Sequence, residues 1–222
     1  MEKLIIIFLI GISYSETIEF MVSFLGFDAA EVSIKVEDLN YDGINAKSII
    51  YETKTISGAK SIFPVDNYYQ TILSHDLKNI LYFEKNTSQP WLENNLKTVN
   101  IGNKVFYENT TIEIPTNYLN IFSLLTLVNY LSKEELLEKV FYLDREGRRY
   151  EAIFNSSKNT NDLLLELNIL EGYKPLIDET DIFTWAVFRE GAKRILKIKD
   201  NKLVYCEFSI GLVKMKAQIL EK

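Results

Sequence analysis

Apolar and polar residues alternate along most of this chain with a period of two, the spacing of strands that turn one face to a core. Ile18, Phe20, Val22 and Phe24 set the pattern, Leu25-Gly26-Phe27 halts it, and Val32, Ile34 and Val36 resume it. Asn40-Tyr41-Asp42-Gly43 supplies turn residues, and Ile44, Ala46, Ser48 and Ile50 open a returning strand. Asp-Gly favours a hairpin because both positions tolerate positive φ, so these segments predict an antiparallel meander. Residues 59–63 predict one helical turn closed by Pro64, and residues 65–73 a strand carrying Tyr68 and Tyr69. Ser74-His75-Asp76 turns the chain, residues 80–83 return it, and residues 86–90 read as a loop. Residues 96–101 and 105–107, around Gly102-Asn103, predict another hairpin.

Two segments break the alternation. Residues 117–131, NYLNIFSLLTLVNYL, are apolar nearly all round, which predicts a helix buried on every side. Ser132 with Glu135 offers a capping box for a brief second helix ending at Leu137. Residues 182–188 are apolar on both faces apart from Thr184, and carry Trp185. They read as a strand that meets core on each side or lines a cavity. Further strands are expected at residues 140–143 and 150–154 around Asp144-Arg145-Glu146-Gly147, and at Leu163, Leu165, Leu167 and Ile169. Arg189-Glu190-Gly191 turns the chain into residues 194–198, and Asp200-Asn201 joins these to 203–208, with 213–219 last. About a dozen short strands at regular spacing indicate a sandwich or barrel, and their order excludes a parallel βαβ sheet. The expected fold is mainly β: a single-domain antiparallel curved sheet or open β-barrel with one buried apolar helix.

The N-terminus adds a location. Lys3 precedes an apolar run over residues 4–12, and Ser13-Tyr14-Ser15 places small residues at its end, the pattern of a cleavable secretory signal. The run is shorter than the roughly 20 residues a membrane span needs. Residues 1–15 are therefore expected to be a signal peptide, and residues 16–222 one β-rich domain in the periplasm without a membrane span. Cys206 is the one cysteine, so no internal disulfide forms, and its apolar strand predicts a buried thiol. No cysteine follows the expected cleavage point, so no lipid anchor is expected there.

Charge and chemistry narrow the function. The formal net charge is −6 with the two signs interspersed, whereas phosphate neutralisation needs clustered Lys and Arg; nucleic acid is not an expected partner. Lys193, Arg194, Lys197, Lys199 and Lys202 read as a solvated strand face. His75 is the one histidine, while a zinc site needs three or four converging ligands. No serine stands in a Gly-x-Ser-x-Gly elbow. No catalytic set, metal or cofactor is expected. Of the carboxylates, Asp66 and Glu113 lie nearest apolar strands and form the pair to examine for a hydrolase. Asp38, Asp42, Asp144, Asp178 and Asp181 mostly fall in predicted turns, where Asp bonds its own backbone. The heavy aromatic load, thirteen Phe and thirteen Tyr, suits a pleated, half-buried surface, and the excess of apolar strand faces together with an all-apolar helix and no reactive constellation points to apolar binding instead. Antiparallel barrels can hold a small hydrophobic ligand, and Phe20, Phe24, Tyr69, Phe122, Phe183 and Trp185 are the residues expected to line such a site. The expected partner is a lipid or other apolar small molecule; the alternative is an envelope protein that docks on a module with a filled core.

Four stretches resemble the bacterial exported family known as domain of unknown function 3108. Phe20-Met21-Val22-Ser23-Phe24-Leu25-Gly26, continuing to Ala30-Glu31-Val32, is similar to that family's opening strand pair. Residues 51–77, with Ser57, Phe63, Val65, Asp66, Tyr69 and Leu77, look like its central pair. Asn120 and Ser123 stand where its apolar helix carries Asp and Ser, and Trp185 and Arg194 match its closing meander. Ala30 replaces a usual Gly, Asn120 the helix Asp, and the closing Asp and Pro are replaced near Arg189 and Ile195. The resemblance implies an exported protein with a curved antiparallel sheet or open barrel wrapped on a helix, reminiscent of periplasmic lipoprotein carriers. It implies no settled activity.

Overall fold

The computed structural model describes residues 15–61, 63–107, 110–113, 117–158, 160, 162–170, 177 and 179–221. The expected signal segment, Ser15 excepted, lies outside them. The first eight strands are β1 (Ser15–Phe24), β2 (Phe27–Tyr41), β3 (Ile44–Thr55), β4 (Asp66–Ser74), β5 (Ile80–Gln89), β6 (Leu92–Ile101), β7 (Lys104–Tyr107) and β8 (Thr110–Glu113). After β9 (Tyr118–Leu119) come helices α1 (Ile121–Leu127) and α2 (Lys133–Glu138), then β10 (Val140–Arg145), β11 (Arg148–Ser156) and β12 (Leu163–Ile169). Helix α3 (Ile182–Phe188) precedes β13 (Lys193–Lys199), β14 (Lys202–Ile210) and β15 (Val213–Ile219).

All of these strands form one sheet in the order β8-β7-β6-β5-β4-β3-β2-β1-β15-β14-β13-β12-β11-β10-β9. The first and last strands pair, Phe20 facing Ile219 and Phe24 facing Met215. Spatial order is therefore chain order made circular and cut once, between β8 and β9, and the sheet is curved but unclosed. Neighbours run antiparallel except β9, whose two residues pair parallel to β10. The fold is mainly β, as the alternation implied, and the Asp42-Gly43 turn joins β2 to β3 with φ of 48° and 81°, as a two-residue hairpin of inverse hand requires. The inner face closes on α1 and α3, and one core draws on β1–β4, both helices and β10–β15.

Three expectations fail, each for a local reason. Residues 182–188 form helix α3 and not a strand: the Asp181 side chain accepts from the Thr184 N–H and caps the first turn. The helix expected over residues 117–131 is cut to Ile121–Leu127, because Asn120 caps it from an extended backbone conformation and leaves Tyr118–Leu119 to pair with β10. The loop expected at residues 86–90 is the second half of β5, with Asn86 facing Tyr68 on one side and Asn95 on the other. Helix α2 has its capping box as expected. The basic hairpin is not a uniform solvated face either, since Arg194 is buried and donates to the Val187, Ala192 and Arg189 carbonyls at the end of α3.

Candidate functional site

The apolar residues of the inner face do not fill it completely. A cavity of about 60 Å³, partly open to solvent, lies between β1–β4, β14–β15 and the two inner helices. Four of the six expected ligand residues line it: Phe20 on β1, Tyr69 on β4, Phe122 on α1 and Phe183 on α3. Phe122 is the hub. Its ring centre lies 4.3 Å from Tyr69, 5.1 Å from Tyr51, 5.5 Å from Phe183 and 6.1 Å from Phe83. The other two stand outside the wall. Phe24 is half-buried opposite Met215, one position beyond the lining, and Trp185 packs beneath the Arg189 guanidinium, 4.9 Å from its ring centre.

The wall keeps its polar atoms engaged elsewhere. The Tyr51 hydroxyl donates to the Phe122 carbonyl at 3.3 Å and lies 3.0 Å from Thr126 Oγ1. The Tyr69 hydroxyl accepts from Asn67 at 3.2 Å. Cys206, also in the wall, is buried as expected, and burial pushes its thiol up to about 12. A thiol so far from ionising is a poor nucleophile. What the groove offers a ligand is carbon surface.

A second cluster escaped the sequence reading. Lys85 on β5 is 1% exposed and sits between two carboxylates, Nζ lying 2.5 Å from Glu146 Oε1 and 2.9 Å from Asp181 Oδ2. Burial works against the ammonium, but the two anions outweigh it and hold the Lys85 pKa above its ordinary value. Burial would likewise raise Asp181, yet Lys85 and the Thr184 donors outweigh it, leaving Asp181 below the usual range. Glu146 belongs to the β10–β11 turn, around which the sequence predicted a strand pair, and is 7% exposed. Beside it, burial pushes the Asp144 carboxyl up to about 6, against donation from Gly147 N–H and the Tyr107 hydroxyl.

These polar groups span the cut in the sheet. Lys85 and Tyr107 come from the β1–β8 half, Glu146, Asp144 and Asp181 from the β9–β15 half. Arg149 on β11 donates to the Glu113 carbonyl on β8, Gln89 Oε1 accepts from the Ile182 N–H, and Asn94 donates to the Glu179 carbonyl. Side chains thus hold together two edges that share no backbone ladder. A cleft of about 60 Å³ with mixed polar and apolar walls opens along this seam, with Asn100, Tyr107, Asn120, Asp144 and Glu146 as well as Ile80, Phe83 and Leu96 in its walls.

The hydrolase pair is not assembled. Asp66 and Glu113 are both exposed and stand on β4 and β8, four positions apart in the sheet. His75 is exposed in the β4–β5 turn. Among the described residues, no group of three or more His, Cys, Asp or Glu is placed to hold a metal ion. No helix among them is long and apolar enough to cross a membrane.

No family model matches the chain, and no curated protein matches it. Among solved structures, it is similar to a β-barrel-like protein of domain of unknown function DUF1849 from Brucella abortus, at 11% identity and a TM-score of 0.48, over 92% of this chain and 95% of that one.

Proposed function

We propose that this is an exported, non-enzymatic binding protein of the periplasm that takes an apolar chain into the groove beneath α1 and α3, as part of envelope maintenance. We also assign it to the exported family that its strands resemble. One observation carries the reading: the groove wall is built from six strands and two helices, yet presents almost only carbon. Its size limits the cargo. About 60 Å³ is less than half of the roughly 150 Å³ that accepts a benzene molecule in an engineered cavity. The opening therefore admits the terminus of an acyl chain or a similar ligand, while the remainder stays outside.

Chain length then sets affinity. Each methylene buried contributes about 0.8 kcal/mol, so two more carbons strengthen binding by roughly tenfold until the groove is full. The test is displacement of a fluorescent fatty-acid probe from delipidated protein by saturated fatty acids of increasing length. Affinity is expected to climb and then level off, and Ala217→Phe, which adds bulk inside the wall, is expected to abolish uptake while the fold persists. A delipidated sample that takes up no probe refutes the proposal. Capture of one stoichiometric envelope protein by such a sample would favour the filled-core alternative.

A further inference from the structure

The cleft along the seam joins two kinds of wall. Ile80, Phe83 and Leu96 give it carbon, and Asp144, Glu146 and several asparagines give it polar groups. Among the described residues of that wall, Asp144 and Glu146 carry its formal charge, and no Lys, Arg or His stands with them. Most of the acceptors there are already in use. Asn120 Oδ1 accepts from the Ser123 N–H and hydroxyl, each at 2.8 Å, and Asn79 Oδ1 from the Asn117 N–H at 3.4 Å. Asp144 takes the Gly147 N–H and the Tyr107 hydroxyl. Two acceptors are left over: Glu146 Oε2 and Asn100 Oδ1 are shielded from bulk solvent and have no hydrogen-bond partner. Glu146 as a whole is 7% exposed. A buried acceptor without a donor bears the full desolvation of the group, and more so when charged.

The surrounding cations are committed elsewhere. Lys85 gives its ammonium to Glu146 Oε1 and to Asp181. Arg149 serves the Glu113 carbonyl and lies over the Tyr118 ring, and Arg145 lies over the Phe188 ring. At Asp144 compensation also falls short: burial pushes the carboxyl up to about 6 against Arg149, Tyr107 and the Gly147 N–H.

We propose that this cleft binds a primary ammonium group at the end of an alkyl chain, with Glu146 Oε2 and Asn100 Oδ1 accepting two of its N–H bonds beside the Asp144 carboxylate. Ile80, Phe83 and Leu96 take the adjoining methylenes. The donor inventory selects this class. Both orphans need a donor, so an anion does not fit. An ammonium brings three donors and no acceptor, and its bond to a carboxylate is charge-assisted. A hydroxyl brings one donor and lone pairs of its own, and a quaternary ammonium brings charge without N–H. The volume, about 60 Å³, is less than half of the roughly 150 Å³ that accepts benzene, so the head enters while the rest of the chain stays outside. The amine site shares no wall residue with the apolar groove, so either can stand without the other.

Titration of isotope-labelled protein with butylammonium, butyltrimethylammonium and butan-1-ol, at constant ionic strength and followed by amide NMR shifts, tests it. At about pH 7 butylammonium is expected to move the Asn100, Gly102 and Glu146 signals saturably, and to bind at least tenfold more tightly than the other two. Asn100→Leu removes an acceptor that holds no partner and keeps the side chain's size. That variant is expected to melt no lower than the native chain and to bind at least fivefold more weakly. Native affinity is expected to fall about fivefold between about pH 7 and 5, as Asp144 takes up its proton, and Asp144→Asn to remove most of that dependence. Butan-1-ol or the quaternary amine binding as tightly as butylammonium overturns the proposal, as does an Asn100→Leu variant that binds unchanged. Signals that do not move overturn it too, and leave the orphans to water. Shifts confined to groove residues such as Val22 and Ala217 remove the amine site and support the groove.

Discussion

Replacing Lys85 with Met tests whether the buried charges hold the seam of the sheet. Met nearly matches the lysine stem in volume, so the loss is electrostatic. Two carboxylates, 7% and 0% exposed at Glu146 and Asp181, would lose the cation that stands 2.5 Å and 2.9 Å from them. Glu146 Oε2 already has no hydrogen-bond partner. Removing one member of a buried ion pair costs about 3–5 kcal/mol, out of the roughly 5–15 kcal/mol that stabilises a typical domain. Acid should relieve the penalty. In the native chain Asp181 lies below the usual carboxylate range, so the stability it contributes is present above the unfolded-state value of about 3.9 and is lost only below that. Without Lys85, burial acts on Asp181 uncompensated and its protonated form is favoured when folded, so the variant gains stability as pH falls. Urea unfolding at about pH 7 should therefore show the full loss, and at about pH 5 a smaller one. A loss under about 1 kcal/mol at neutral pH, or a gap of constant size, would refute the assignment.

Two further perturbations read separate parts of the same interior. Asp144 has a folded-state pKa of about 6, above its unfolded value, so it binds a proton more tightly when folded and its contribution grows as pH drops. Between about pH 7 and 5 that gain is about 1.4 kcal/mol; Asp144→Asn should flatten this part of the stability profile, and an unaltered slope in urea unfolding would show that the carboxyl is not held as described. Cys206, its thiol raised to about 12 by burial, should resist iodoacetamide at about pH 8 in the native protein and react once it is unfolded; prompt native labelling would place it at the surface.

The periodicity made the frame of the sheet legible, and composition hid its polar side. Asp42-Gly43 and the Ser132–Glu135 box carry their geometry within four residues, so both could be read directly. Helix α3 could not be read from its seven apolar residues, because a run of that length suits a buried strand equally well. The cue that separates the two is Asp181 with Thr184, the spacing of an N-cap acceptor and its donor. Of the aromatic positions expected in the groove that line it, Phe20 and Tyr69 stand on strands that were readable as such, whereas Phe122 and Phe183 stand on helices. On β5 the same rule inverts: Lys85 and Thr87 face inward and are 1% and 3% exposed, so the segment looked like a loop. Nothing local explains them, since Lys85 finds Glu146 across 61 residues of sequence.

That inversion follows from where the sheet is cut. Fourteen of the fifteen possible neighbour contacts around the ring are strand pairs, and backbone hydrogen bonds satisfy those edges. At the fifteenth, β8 and β9, four and two residues long, pair with β7 and β10 but share no ladder with each other. An edge left that way exposes unpaired backbone groups and invites other strands. Covering it requires side chains able to bond across a gap, which is what Arg149, Gln89, Asn94 and the Lys85 cluster do. Polarity is therefore concentrated on the seam side, and carbon on the opposite wall, where β1 and β15 pair continuously. The groove lies against that continuous ladder and the cleft against the interrupted one. An apolar cargo and the charges that hold the shell together can share one small interior because α1 and α3, packed between them, keep the two surfaces apart.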